Sequence, residues 1–536
     1  MFNFITKKLK YGLRRAQESK VETADVKSNK EIEELPITGR LSADLELTRK
    51  VMGTSSDIKI HEFRYGTNSE LKGALIFIDG LVNSDMLTQG ILKPLILGKN
   101  LNSYQKESIT KTLDTVKQTI LCSGDVTEKH LIGELVESVL SGDTAFLSEG
   151  FDKALIISTK GWDKRSISEP QTETVVRGPR EGFTENFRTN TALLRRRIKS
   201  PNLRMDHLTI GEKTDTNVCV AYIEGVADPG IVETVKARLK SISADAILDT
   251  GYIEQYIEDH PFSMFPTIGY SEKPDVVTAR ILEGRVAIIA DGSPFVLTAP
   301  MLFIESFQSS EDYYIRPFHA SMIRILRYLA FFITISAPAI FIALTTFHQE
   351  LIPTTLLFTI AAAREGTPFP TFLEAIVLIF SFEILREAGI RLPRPIGQAI
   401  SIVGALIMGE AAVSAGLVGA PMVIVVAITA VASSAVPEQT DSAAIMRIIL
   451  LILASSFGGF GIAVGFLGIL IHLASLKSFG IPYCSSLTFN HNMQDSFVRM
   501  PLWAMTKRPK GIANEDIIRN DMQIPPSPVY QPPSNE

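Results

Sequence analysis

Between Gly397 and Met446 there is no Lys and no Arg. A run this oily has to be kept from water, and within a bilayer a helix satisfies its own backbone hydrogen bonds. Tyr328 to Phe347 is uncharged and, as a helix, about 30 Å long, the thickness of a bilayer's hydrocarbon layer. Overall composition conceals this feature. The figures of 46% hydrophobic residues, 21% charged residues and a net charge of −5 average two parts with different solvents. Charges of both signs are frequent from Met1 to about Arg324 and scarce beyond it. The expected fold is therefore an α/β soluble N-terminal region followed by an α-helical transmembrane bundle from about Ile325 to about Leu476.

Arg324 and Arg327 stand just before the first span, and positive residues favour the cytoplasmic side, so this span should run outward. Pro338 is a candidate kink. Leu351 to Ala363 is apolar but short, and Phe372 to Leu385 is short and carries Glu374 and Glu383, so the two resemble a broken or re-entrant pair. REAGIRLPRP, with Arg386, Arg391 and Arg394, reads as a loop returned to the cytoplasm. Ile396 to Val413 and Met422 to Val436 are further spans, separated by AGLVGAP. Ile448 to Leu476 would be about 43 Å long as one helix, more than the hydrocarbon thickness. Gly458, Gly459 and Gly461 lie in its middle, which leaves two readings: one tilted helix, or two half-spans folded at the glycines. Lys477, Arg499, Lys507, Arg508 and Lys510 favour a cytoplasmic C-terminus, so the crossings should be even in number, four or six. The final IPPSPVYQPPSNE is Pro-rich and reads as disordered.

In the soluble region three segments share one design: ALIFIDGLVNSDML from Ala74, VCVAYIEGVADPGIV from Val218 and VAIIADGSPFVL from Val286. Each is a β-rich apolar run ending at an acid followed by glycine, at Asp79, Glu224 and Asp291. This predicts two α/β subdomains of related topology. Acids at strand ends can bind ligands, but an acid opening a turn before glycine is the plainer account and is preferred. The expected divisions are a basic, disordered tail at 1–45, subdomains at 46–141 and 142–320, helices at 321–483 and a cytoplasmic tail at 484–536. MFNFITKKLKYGLRRAQ lacks the apolar core of a signal peptide, which keeps the N-terminus cytoplasmic. Its Phe2, Ile5, Leu9 and Leu13 suit a headgroup-level helix, and a solvated tail fits them equally.

The segment from Glu169 to Leu203 concentrates Arg177, Arg180, Arg188, Arg195, Arg196, Arg197 and Lys199. Interspersed Gly and Pro imply a shaped loop, and no nucleic-acid motif accompanies it. Arg177, Arg180, Arg195, Arg196 and Arg197 are thus candidates for contact with another subunit, against the usual alternative of a solvated helix face. Cys122, Cys219 and Cys484 match neither zinc spacing nor a disulfide framework. Walker, HExxH and GxSxG motifs are missing from the sequence, and GGFGIAVG lies inside an apolar run where its glycines suit helix packing. Neither catalysis, a metal nor a cofactor is expected.

Several long segments nevertheless resemble a known family. VVRGPREGFTENFRTNTALLRRRIK, GRVAIIADGSPFVLTAP followed by ESFQSSEDYY, PTTLLFTIAAAREGTPFPTFLEA, and FEILREAGIRLPRPIGQAISIVGALIMGEAAV look like the A subunit of GerA-type spore germinant receptors. The resemblance runs from about Lys59 to about Tyr483. It implies a multi-pass protein of the spore inner membrane, working with a permease-like B subunit and a lipoprotein C subunit to trigger germination in response to nutrients. It also implies a homo-oligomeric ion channel.

If the chain conducts ions, the best pore helix is Gly397 to Val413. Val403, Leu406 and Glu410 share a helical face, with Ala399 one turn earlier. Around an axis, Val403 and Leu406 would form a dewetting gate and Glu410 a cation-attracting ring; a packing helix with Glu410 at its watery end is the alternative. Glu374 and Glu383 are a second pair of candidates, since ionisable groups in apolar segments often mark an ion path, and ion pairing with Arg364 or Arg386 is the competing account. A secondary transporter and a non-conducting scaffold remain rival functions.

Overall fold

The computed structural model describes residues 33–65, 71–97, 126–161, 169–170, 172–392, 409–485, 495–509, 511–513 and 518–519. Two compact units divide the chain. One comprises Met1–Asp259, Ile268–Pro300 and Trp503–Glu536; the other comprises His260–Thr267 and Met301–Leu502.

The first unit contains two five-stranded antiparallel sheets of the same topology. Helix α1 (Leu41–Met52) leads into β1 (Ile58–Tyr65) and β2 (Leu71–Ile78). Then come β3 (Val126–Lys129), α2 (Ile132–Leu140), β4 (Thr144–Ser148) and β5 (Ala154–Ile157), and the strands lie in the order β1-β2-β4-β5-β3. The second set repeats the plan: α3 (Phe187–Arg197), β6 (Leu203–Ile210), β7 (Thr216–Ile223), α4 (Pro229–Ser241), α5 (Thr250–Ile257), β8 (Gly269–Ser271), α6 (Pro274–Leu282), β9 (Val286–Ala290) and β10 (Val296–Ala299). Their order is β6-β7-β9-β10-β8, position for position the order of the first sheet. The relation expected from the three strand-and-turn segments is therefore present, and Gly80, Gly225 and Gly292 each take the positive φ that ends such a strand.

Two expected boundaries move. Strands β4 and β5 lie beyond Ser141 yet pair within the first sheet, so the first subdomain extends to about residue 160, not 141. The first set of helices starts earlier than residue 46: Ile37, Leu41 and Leu45 recur on one face of the chain and are buried against Leu135 and Val139 of α2. Residues 1–32 lie outside the described residues.

The second unit is helical. It contains α7 (Pro317–Thr346), α8 (Thr354–Arg364), α9 (Thr371–Arg391), α10 (Ala420–Ser433) and α11 (Thr440–Ser475). Among the described residues, α7 and the stretch Pro437–Ser475 are long and apolar enough to cross a membrane by length and composition. The break expected within 351–385 falls between α8 and α9, but the second segment is longer than expected. It is one helix of 21 residues that continues through Arg386 and Arg391, which pair along its surface with Glu383 at 2.7 Å and Glu387 at 2.6 Å. Arg386 and Arg391 are thus helical rather than in a loop, and α9 stops at Arg391, two residues before Pro393.

Of the two readings of the last apolar run, the structure adopts the folded one. Gly458 has φ 60° and ψ −138°, which no α-helix contains. A methyl group added at Gly465 would come within 2.5 Å of Leu450 Cδ2, and one at Gly461 within 2.1 Å of the Leu453 carbonyl oxygen. In a straight helix Leu450 and Gly465 would be about 22 Å apart. The two ends also meet one short segment, since Ser442 donates to the Met264 carbonyl and His472 Nε2 lies 3.0 Å from Ser263 Oγ. Helix α11 is therefore a hairpin with arms at 440–457 and 459–475, each roughly 26 Å long. Its core is Ala443, Met446, Leu450 and Ala454 packed with Ile335, Ala339 and Ala343 of α7.

Charges at the start of α7 are held inside the protein. Arg324 is fully buried; its Nη1 donates to Asp495 Oδ1 at 2.8 Å and its Nη2 to Asp312 Oδ2 at 3.2 Å. Arg327 donates to the same Asp312 oxygen at 2.8 Å. Two positive residues read as facing the membrane surface are thus neutralised by carboxylates, which weakens them as markers of direction. Within the tail expected at 484–536, residues 495–502 pack on this unit, while in the other unit Ala513 bridges to Ala227 and Arg508 donates to the Leu282 carbonyl; IPPSPVYQPPSNE lies outside the described residues.

Close packing of the arms makes the hairpin glycines sensitive to size. Gly461→Val should destabilise the helical unit by roughly 2 kcal/mol or more through overpacking. Gly468→Ala, where an added methyl meets nothing within 4 Å, should be neutral or slightly stabilising. Thermal unfolding of the detergent-solubilised chain checks both.

Candidate functional site

Glu374 and Glu383 are two and a half turns apart on α9, which puts them on opposite faces. Glu374 is fully buried. Its Oε2 accepts the Gly419 N–H at 3.1 Å, its Oε1 accepts from Thr367 Oγ1 at 3.3 Å, and Arg364 Nη2 stands 3.5 Å away. The carboxylate therefore occupies the N-terminal end of α10, where the helix dipole favours negative charge. Glu383 accepts from Arg447 Nη2 at 2.6 Å and pairs with Arg386 at 2.7 Å. Both carboxylates are thus tied to arginines, with Arg364 and Arg386 as partners.

Arg447 was not among the residues singled out by sequence. It lies nearly buried on the first arm of α11, just before a long uncharged run, and a buried arginine there needs a carboxylate. That isolation was the signal available; its partner is 64 residues away in the chain.

Glu410 lies in a helical stretch, 409–414, and is exposed. Ala399, Val403 and Leu406, expected on the same face, lie outside the described residues.

The arginine-rich segment divides. Arg195 is buried within the chain, between the two sheets. Its Nε and Nη2 each donate to Asp57 at 2.9 Å, and Nη2 also donates to the Leu203 carbonyl at 3.0 Å and to Ser55 Oγ at 3.2 Å. Nη1 donates to the Ser200 carbonyl at 3.2 Å. Around it the backbone of the first subdomain joins β6, with the Ser56 N–H donating to the Met205 carbonyl at 3.0 Å. A residue expected at a subunit surface is instead the bolt between the subdomains, because the planar guanidinium fork fits a carboxylate bidentately. Arg196 and Arg197 both pair with Glu181. Arg180 stands 3.4 Å from Glu169, both exposed, and Arg177 is exposed.

The acids at the strand ends act in turns and local pairs. Asp79 lies 3.3 Å from Arg188, Glu224 pairs with Arg204, and Asp291 accepts the Phe187 N–H at the start of α3. Beside Gly80 and Arg188, α3 and the turn after β2 enclose a hollow of about 320 Å³ lined in part by Asn83, Asp85 and Thr189. His207, close by, is held below the usual histidine range by burial and then by the Arg188 charge.

Removing one half of the buried pair leaves the other charge stranded. Arg195→Met should cost roughly 3–5 kcal/mol. Hydrogen–deuterium exchange of the full chain should show lost protection across 187–210, and Arg196→Met should leave that protection nearly unchanged.

Comparison with known proteins adds the family. A family model described as Bacillus/Clostridium GerA spore germination protein matches residues 46–511. The chain is 45% identical over 499 residues to Spore germination protein KA of Bacillus subtilis (strain 168), covering 92% of this chain and 90% of that one. It is 43% identical over 488 residues to Uncharacterized membrane protein YfkQ of the same organism, covering 90% and 93%. Spore germination protein B1, also from that organism, is 38% identical over 491 residues, covering 90% of this chain and 100% of that one. Among solved structures, the N-terminal domain of the A subunit of the Bacillus megaterium spore germinant receptor GerK3 is 34% identical, with a TM-score of 0.39, covering 50% of this chain and 98% of that one. The match along most of the chain, with a relative 45% identical over about nine-tenths of both lengths, makes this protein a member of the GerA spore germination family, the family of germinant receptor A subunits.

Proposed function

We propose that this chain is the membrane subunit of a nutrient germinant receptor of the spore inner membrane, and that copies of it assemble into a nutrient-gated cation channel alongside permease-like B and lipoprotein C subunits. The observation that carries the membrane part is the inverted polarity of the helical unit. Phe332, Ile428, Ile452, Phe460, Leu467 and Leu470 are exposed, while Glu374, Arg447 and Arg324 are buried. In water this arrangement would cost heavily on both counts, and in lipid it is the expected one.

Helix ends support six crossings. The C-terminal end of α7, at Ile342, packs with Ala375 at the start of α9 and Met422 at the start of α10. Helices α9 and α10 therefore begin where α7 ends, and each runs back. Arg391, at the far end of α9, is roughly 26 Å along the helix axis from Glu374, which touches Gly419. The separation of Arg391 from Gly419 by that distance favours six crossings over four. Ala399, Val403, Leu406 and Glu410 are the residues proposed to line the pore, with Glu410 as the cation-attracting ring. With the α11 hairpin the crossings number six, and both termini are on the cytoplasmic side. The exposed Arg177 and Arg180 remain available to a neighbouring subunit.

Reconstitution in liposomes tests the reading. A channel gives rapid cation flux down a gradient, a transporter gives saturable solute uptake, and a scaffold gives neither. Glu410→Gln should lower the cation-to-anion permeability ratio several-fold while flux persists, and unchanged selectivity would refute the ring.

A further inference from the structure

The turn of the α11 hairpin is held against the end of α7 by two adjacent side chains. Phe347 lies against Gly458, where an added Cβ would come within 2.8 Å of the ring carbon Cγ. His348 Nε2 accepts the backbone N–H of Gly459 at 3.2 Å. Gly459 opens the second arm, so its N–H has no carbonyl within that arm to bond.

We propose that His348 is a proton-sensitive latch, which fastens the hairpin turn to the end of α7 only while its imidazole is uncharged. A backbone N–H can only donate, so the ring nitrogen facing it must carry a lone pair. A proton added at Nε2 would point one N–H at another. It would also place a positive charge at the positive end of a helix. Histidine is the side chain whose ordinary titration falls between pH 5 and 8, and this ring is 40% exposed, so protons reach it.

The charged group facing the ring is Glu350, 3.7 Å from Nδ1 and itself 72% exposed. A pair that open to solvent offsets little of the lost contact. The last turn of α7 contributes Thr345 and Thr346, and Gln349 is committed to the Thr345 carbonyl at 2.9 Å. The hairpin turn contributes Ser455, Ser456 and Phe457, none of them titratable. Because the hairpin arms pack along α7, acid should release the turn and loosen that packing from its end. Under the proposed channel reading, this would couple proton concentration on that side of the membrane to gating.

The test is hydrogen–deuterium exchange of the full chain in detergent or nanodiscs, following peptides that contain 457–462 and correcting for the intrinsic pH dependence of exchange. Lowering the pH from 8 to 5 should reduce protection of this turn about tenfold or more in the wild type. His348→Gln, whose amide oxygen accepts a hydrogen bond but does not titrate, should keep protection constant across that range. His348→Ala should lack it throughout. An unchanged wild-type profile, or the same acid response in His348→Gln, overturns the latch. Exchange requires no ion flux. An acid-responsive turn in a chain that conducts nothing would therefore keep the latch and refute the channel.

Discussion

Packing of the α11 hairpin against α7 is what the helical unit depends on, and that packing exists because the chain reverses at Gly458. Side chains larger than hydrogen would be strained at its backbone angles and would press on Phe347. Once the chain has reversed, Gly461 and Gly465 let the arms approach until Leu450 and Leu453 touch the opposite backbone. The bundle that results has antiparallel arms of nearly equal length lying along the second half of α7. The remaining helices attach to it through Ile342 and Leu451 and through the Glu383–Arg447 pair.

Several buried charges join segments far apart in the chain. Asp57 and Arg195 bolt together two sheets of the same topology, each with its own apolar core. Asp312 and Asp495 neutralise Arg324, tying the entry of α7 both to the segment that precedes it and to the chain that follows the hairpin. Ion pairs of this kind contribute little net stability compared with apolar packing, but breaking one is costly, which favours a single arrangement over its neighbours. The chain passes between its two units four times.

Much of this was legible in sequence where the signal is local. The strand-and-turn segments at Asp79, Glu224 and Asp291 indicated related subdomains, because apolar runs stopped by glycine are a property of adjacent residues. The same reasoning misplaced the first boundary near Ser141, since β4 and β5 reveal their sheet only by whom they pair with. Arg195 looked like its exposed neighbours Arg177 and Arg180, and nothing in its flanks shows that Asp57, 138 residues earlier, awaits it. Arg386 and Arg391 were read as a loop because charge after an apolar run resembles an exit from the membrane. In the structure, pairing at i+3 and i+4 lets α9 continue through them.

The sequence by itself determined that one part of the chain avoids water, where three strands end in an acid and a glycine, and to which family the chain belongs. Periodicity, glycine placement and long shared segments all reside in residues close together along the chain. Only the tertiary structure decided that the last apolar run is a hairpin, which arginines are buried, and that Arg324 meets Asp495 across 171 residues. Those outcomes depend on whether a distant group arrives to satisfy a freed N–H or a buried charge, and no local pattern encodes the arrival.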